Sequence, residues 1–126
     1  MAVLNLPPKV SGQSIVPTSL PLEAGRMYAI SFDMDIESLR LNYGDPYNNA
    51  YMEIRRVLQS HGFLWQQGSV YFGGEQINAV TCVLAAIDLS RQLPWFTSSV
   101  RDIRMLRIEE LNDLMPAVQQ ASSEPD

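Results

Sequence analysis

The sequence predicts an α+β domain with the element order β-α-β-β-α-β, and three observations carry the prediction. The apolar run Tyr28-Ala29-Ile30-Ser31-Phe32 is followed by a stretch whose apolar residues recur at helical spacing. Two more apolar runs then flank the turn pair Gln67-Gly68. A second stretch of helical spacing is stopped by Pro94 and followed by a last strand-like segment.

The first run reads as a strand buried on both faces, because it is almost continuously apolar and stops at Asp33-Met34-Asp35. Asp35-Ile36-Glu37-Ser38-Leu39 reads as a helix N-cap with an acidic first turn. Asp45 is placed to cap the main helix, with Pro46 at its first position, where no amide hydrogen is missed. Tyr47, Ala50, Tyr51, Ile54 and Leu58 then form its apolar face, and Gly62 ends it, with His61 in the last turn near the exposed carbonyls. Phe63-Leu64-Trp65 and Val70-Tyr71-Phe72 pair across the hairpin, and Gly73-Gly74 breaks the second of them. Ile77, Val80, Leu84 and Ile87 mark the face of the second helix, and Cys82 reads as a small buried hydrophobe on it. Ser99 to Ile108 closes the order as a strand in which Arg and apolar residues mix without clean alternation. Such an order is the split βαβ, or ferredoxin-like, arrangement: a four-stranded antiparallel sheet with two helices on one face. Its other face is too apolar for solvent, so a homodimer stacked through the sheet face is expected, with C2 symmetry.

The ends read differently. Residues 1–26 hold four of the eight prolines and form a Pro-rich extension, expected to be irregular. Residues 27–113 are the domain, and 114–126 a polar C-terminal tail. At 126 residues there is room for one core. No apolar run is long enough to span a bilayer and no secretory leader is visible, so a cytoplasmic protein with no membrane partner is expected. One cysteine and one histidine exclude disulfide scaffolds and His- or Cys-rich metal sites.

The net charge of −5 excludes a general polyanion binder. Most of the acidity lies in residues 27–113, where seven Arg face eleven acids and there is no Lys. Five of those Arg cluster at positions 55–56 and 101–107, which leaves room for a local, salt-sensitive phosphate-binding surface on an acidic body.

Four segments carry a family resemblance: residues 27–35 (MYAISFDMD), 43–51 (YGDPYNNAY), 65–71 (WQQGSVY) and 100–104 (VRDIR). In that order and spacing they resemble the virulence-associated protein D (VapD) family. The resemblance covers nearly all of residues 27–113. It implies a small ferredoxin-like homodimer, related in fold to the smaller CRISPR spacer-acquisition nuclease, that cleaves RNA as an endoribonuclease, in some members as the toxin of a toxin–antitoxin pair with a small antitoxin protein as partner. Family members usually begin at the position of Met27, so residues 1–26 are extra here. Glu23-Ala24-Gly25-Arg26 can be encoded by purine-rich triplets resembling a ribosome-binding site, which makes Met27 a candidate start.

Asp33, at the exit of the first strand, is the leading catalytic candidate. A carboxylate there would act as general base on a 2′-hydroxyl or a water, or hold a divalent metal, and the resemblance points to the same residue. The plain alternative is an Asp satisfying the amides of the following turn. Mg²⁺ is the cation such a site would take, with one Asp33 from each subunit near the dimer axis, although no ligand cluster requires it. Ser69, beside the Gly68 turn, is the second catalytic candidate. Tyr43, Arg55, Arg56, Arg101 and Arg104 are the nucleic-acid-binding candidates, set against solvated helix faces and carboxylate pairing as the ordinary roles of such residues. Trp65 and Tyr47 read as core or interface. The competing class is a non-catalytic RNA- or protein-binding homodimer on the same fold.

Overall fold

Residues 27–123 are described by the computed structural model, so the Pro-rich extension and the last three residues lie outside the described residues. Met27–Met34 form β1, Ile36–Asn42 α1, Asn48–Ser60 α2, Phe63–Gln67 β2 and Val70–Gly73 β3. Ala79–Gln92 form α3, Phe96–Ser99 the single turn α4, Val100–Ile108 β4 and Met115–Ser123 α5. The sheet order is β2-β3-β1-β4, with every neighbouring pair antiparallel. The expected α+β, ferredoxin-like architecture is therefore the observed one.

Alternation along β1 sends Ile30, Phe32 and Met34 to the helix side. There they meet Ala50, Ile54, Val57 and Leu58 of α2, Cys82, Ala85 and Leu89 of α3, and Phe63 and Tyr71 of the hairpin. Each fully buried aliphatic side chain contributes about 1.5–3 kcal/mol. Ala29, on the opposite side, is also fully covered, as expected of a central strand.

The caps divide between agreement and correction. Asp35 is the N-cap of α1, taking the Ser38 hydroxyl at 3.1 Å and its amide at 3.5 Å. Asp45 does not cap α2. That helix starts at Asn48 behind Tyr47 with no side-chain cap, and its first amides bond tightly to Pro46 and Tyr47 carbonyls, while Asp45 faces Arg40 at 3.6 Å. The face of α3 is also corrected. Val80, Leu84 and Ile87 are exposed, and the helix buries Cys82, Ala85 and Leu89 instead. Apolar residues surround most of this helix, so period alone selects no face, and the small Cys82 and Ala85 are the ones that let it approach the sheet closely. Residues 115–123, expected within a polar tail, form α5, which buries no residue.

Two glycines seat the loop before α3. Gly62 ends α2 at φ +95°, a conformation other residues rarely adopt, with Ile77 Cδ1 only 3.0 Å from where a Cβ would lie. At Gly73 a Cβ would meet Ile77 Cγ2 at 2.6 Å. Gly73→Ala is therefore expected to cost about 1–3 kcal/mol by overpacking. Adding Ile77→Ala should recover part of that loss in urea unfolding, and additive losses would refute the contact.

The His61 ring does not turn to its own helix carbonyls. Its Nε2 lies 2.8 Å from Asp88 Oδ2, which also accepts from Gln92 at 2.7 Å, tying the end of α2 to α3. The His61 hydrogen bond, then that from Gln92, holds the Asp88 carboxyl below its ordinary 3.8. A carboxyl depressed in the folded state stabilises fully above its unfolded value and loses that contribution as pH falls through the lower folded value. Asp88→Asn should thus flatten the decline of unfolding midpoint below about pH 4. An unchanged acid slope would exclude the tie.

Candidate functional site at the end of β1

Residues from four elements meet where β1 leaves the sheet. Asp33 sits opposite Asp102 of β4, at a register shift between Asp33 and Met34 that ends regular pairing. Beyond it, the Asp35 amide donates to the Ser99 carbonyl at 2.8 Å, pinning the end of α4, just before β4, against the start of α1. Ser99 is itself fully buried, with its hydroxyl taking the Asn42 amide at 3.3 Å. This joint puts Arg101 beside both carboxylates, 3.5 Å from Asp33 Oδ2 and 3.8 Å from Asp35 Oδ1. From the other side the Ser69 carbonyl accepts the Phe32 amide at 3.1 Å, so the β2–β3 turn lies next to Asp33 in the sheet.

Asp33 is 61% exposed. It is an accessible anion with one cation against it. Asp35 is turned to Ser38 as a cap, and Arg101 bridges it to Asp33. Among the described residues no group of three or more His, Cys, Asp or Glu is arranged to hold a metal ion.

The remaining candidates are placed as follows. Arg55 lies over the Trp65 ring at 4.2 Å and its Nε donates to the Tyr71 hydroxyl at 3.4 Å. The Tyr71 phenol is pushed up by burial, which outweighs the lowering by Arg55. Arg56 is exposed on the same helix. Arg104 pairs with Asp102 at 3.0 Å, and Arg107 with Glu109 at 2.9 Å. The Tyr43 hydroxyl donates to Glu53 at 2.9 Å, a bond that raises its pKa, and its ring meets Trp95 edge-on. The structure thus brings Asp33, Ser69 and Arg101 together. Arg55 and Arg56 stand along α2, and Tyr43 and Arg104 are engaged with other side chains.

Two aromatic residues read from the sequence as core or interface are only half-buried. Trp65 is held by a hydrogen bond from Nε1 to the Gly68 carbonyl at 2.9 Å, and Tyr47 lies under Arg40 at 4.9 Å. Tyr51, assigned to the core face of α2, is likewise half-buried, and its phenol is raised first by burial and then by Tyr47 and Asp33. The signal was present as Tyr47, Tyr51 and Arg55 at successive i, i+4 positions. An apolar groove of about 240 Å³ between α3 and β4 lies apart from Asp33 and includes Arg104 as its charged group.

No family model matches the chain. Curated relatives do. The chain is 54% identical over 93 residues to Endoribonuclease VapD 2 of Riemerella anatipestifer, covering 73% of this chain and 99% of that protein. It is 53% identical to an Endoribonuclease VapD homolog of Helicobacter pylori over 73% of this chain and 96% of that one. Against Endoribonuclease VapD of Dichelobacter nodosus the identity is 45%, over 75% of this chain and the whole of that protein. With identity of this level running nearly the full length of each relative, the chain belongs to the VapD endoribonuclease family.

Proposed function

We propose that the protein is an endoribonuclease whose reaction is centred on Asp33. The observation that carries the reading is the accessible Asp33 carboxylate at the end of β1, with Arg101 at 3.5 Å and the Ser69 turn alongside. A carboxylate so placed takes a proton from the attacking 2′-hydroxyl or water, and an adjacent guanidinium balances charge on the phosphate. Ser69 would donate to a non-bridging oxygen. Arg55 and Arg56 would face the RNA along α2, while Arg104 and Tyr43 would reach it only by exchanging Asp102 and Glu53 for the substrate. The relatives' printed names support the activity.

The test is direct: purified protein is incubated with a mixed-sequence RNA in EDTA and in Mg²⁺. Internal cleavage in either condition is the expected outcome, and cleavage restricted to Mg²⁺ would show that the reaction needs a divalent cation. No cleavage in both would leave an RNA- or protein-binding module.

The same reading takes the enzyme to act as a homodimer through the sheet face away from the helices, where Leu64, Val70 and Phe72 are half-buried and Leu106 is exposed. Light scattering is expected to give twice 14.2 kDa, and a monomer mass would remove this element. The reading extends to a cytoplasmic toxin restrained by a small antitoxin protein. Growth arrest on expression, relieved by a small open reading frame next to the gene, is the expected result; no arrest would refute it. Among the described residues no helix is long and apolar enough to cross a membrane.

A further inference from the structure

The arginines of this domain are not equivalent. Among the described residues Arg40, Arg101, Arg104 and Arg107 each lie within 4 Å of a carboxylate, whereas Arg55, Arg56 and Arg91 have none in that range. Two of these three are consecutive on α2. All three arginines of β4 already have their charge matched, so a phosphate arriving there must compete with a carboxylate, whereas at Arg55 and Arg56 it meets unmatched charge.

The same stretch of α2 carries aromatic surface. Tyr47, Tyr51 and Arg55 follow one another at one-turn intervals along about 12 Å of helix. Arg55 covers half-buried Trp65, and Trp65 is fixed by its bond to Gly68. A chain of contacts connects this surface to Asp33: the Arg55 guanidinium lies over Trp65, Trp65 donates to the Gly68 carbonyl, and the adjoining Ser69 carbonyl accepts from the Phe32 amide, one residue before Asp33.

Guanidinium groups without a carboxylate partner, interleaved with half-buried rings, suit unpaired bases and their phosphates. Stacking on a ring needs a base whose faces are free, and a duplex offers faces only at its ends. We propose that α2 and the β2–β3 hairpin form a track for single-stranded RNA, with one base entering between Trp65 and Arg55 as the guanidinium lifts from the ring, Tyr47 and Tyr51 lining the way, and Arg56 holding a phosphate, so that the strand is led to the end of the sheet where Asp33 lies. The proposal rests on the endoribonuclease reading for its substrate but assigns residues that act in binding.

The experiment uses full-length protein with Asp33→Asn, so that RNA is bound without turnover, and a fluorescein-labelled 12-nucleotide single-stranded RNA of mixed sequence. Arg55→Gln with Arg56→Gln, and separately Trp65→Leu, are expected to weaken binding about 10-fold each, in line with loss of one stacked base or its phosphate. Arg91→Gln, which removes an unmatched charge on α3, should change it less than about twofold, because that charge lies off the track. Trp65 emission should quench on binding in a Trp95→Phe background. Arg55→Lys, which keeps the charge and the fold but not the planar stack, should lose several-fold in affinity.

Equal affinities for the α2, hairpin and Arg91 variants would overturn the track, as would tighter binding of a 12-base-pair duplex. The two readings fail separately. Wild-type protein that binds along α2 yet cleaves nothing sinks the nuclease and leaves the track, whereas cleavage with unchanged KM in the Arg55 and Trp65 variants sinks the track and leaves the nuclease.

Discussion

Asp33→Asn is expected to fold as the wild type does and to cleave RNA at least about 100-fold more slowly, the loss typical of removing a positioned proton acceptor. The two halves of that expectation have separate grounds. The side chain is 61% exposed, with Arg101 at 3.5 Å and Asp102 opposite it across the β1–β4 pair, so replacing its charge should move stability by no more than about 0.5 kcal/mol. The amide keeps the shape but accepts no proton at neutral pH. Circular dichroism and a melting curve on the same preparation used for the RNA assay separate the effects. Cleavage within about threefold of wild type would remove Asp33 from the chemistry. A large fall in melting temperature would show instead that the carboxylate holds the end of β1 together.

The largest effect on stability is expected at Phe63. This residue is fully buried at the first position of β2, opposite Gly73, in the cluster that joins the hairpin to α2 and β1. Phe63→Ala removes a ring from a place where the neighbours are backbone or fixed by other contacts, so the cavity cannot collapse. A loss of about 3–5 kcal/mol follows. In a domain of this size that lowers the melting temperature by roughly 15–30 °C. The urea midpoint should fall at constant slope. A loss below about 1 kcal/mol would mean that the ring is not packed as described. At a temperature where the variant remains folded, RNA cleavage should persist, since Phe63, opposite Gly73, stands toward the start of β1 and not beside Asp33.

The order of elements was legible because each main element has its own signal: a continuous apolar strand, a helix with Ala50, Ile54 and Leu58 on one side, a Gly-centred hairpin and a helix ended before Pro94. The failures share a cause. The start of α2 was placed by a good local cap, Asp45-Pro46, yet Asp45 is drawn to Arg40 five residues earlier, and local chemistry alone gives no weight to that competitor. The large apolar residues of α3 point to one face, but the helix packs through Cys82, Ala85 and Leu89, two of them small. At the site, Asp33 and Ser69 were found singly from strand end and turn, and the structure adds their adjacency. The distinction among the arginines was invisible, because it depends on which carboxylate each side chain meets across the fold.

The arginines and acids of β4, which spoil its alternation as a sequence, have a consequence for the protein in concentrated solution. This strand is nine residues long and forms one open border of the sheet, with most of its residues exposed. A border of that length lined with Met105, Leu106 and Ile108 alone would invite the backbone of another chain to continue the sheet indefinitely. Arg101, Asp102, Arg104 and Arg107 stud it with charges that any added strand would have to strip of water. What reads as a poorly patterned strand is, for a cell that must keep this protein from aggregating, a guarded border.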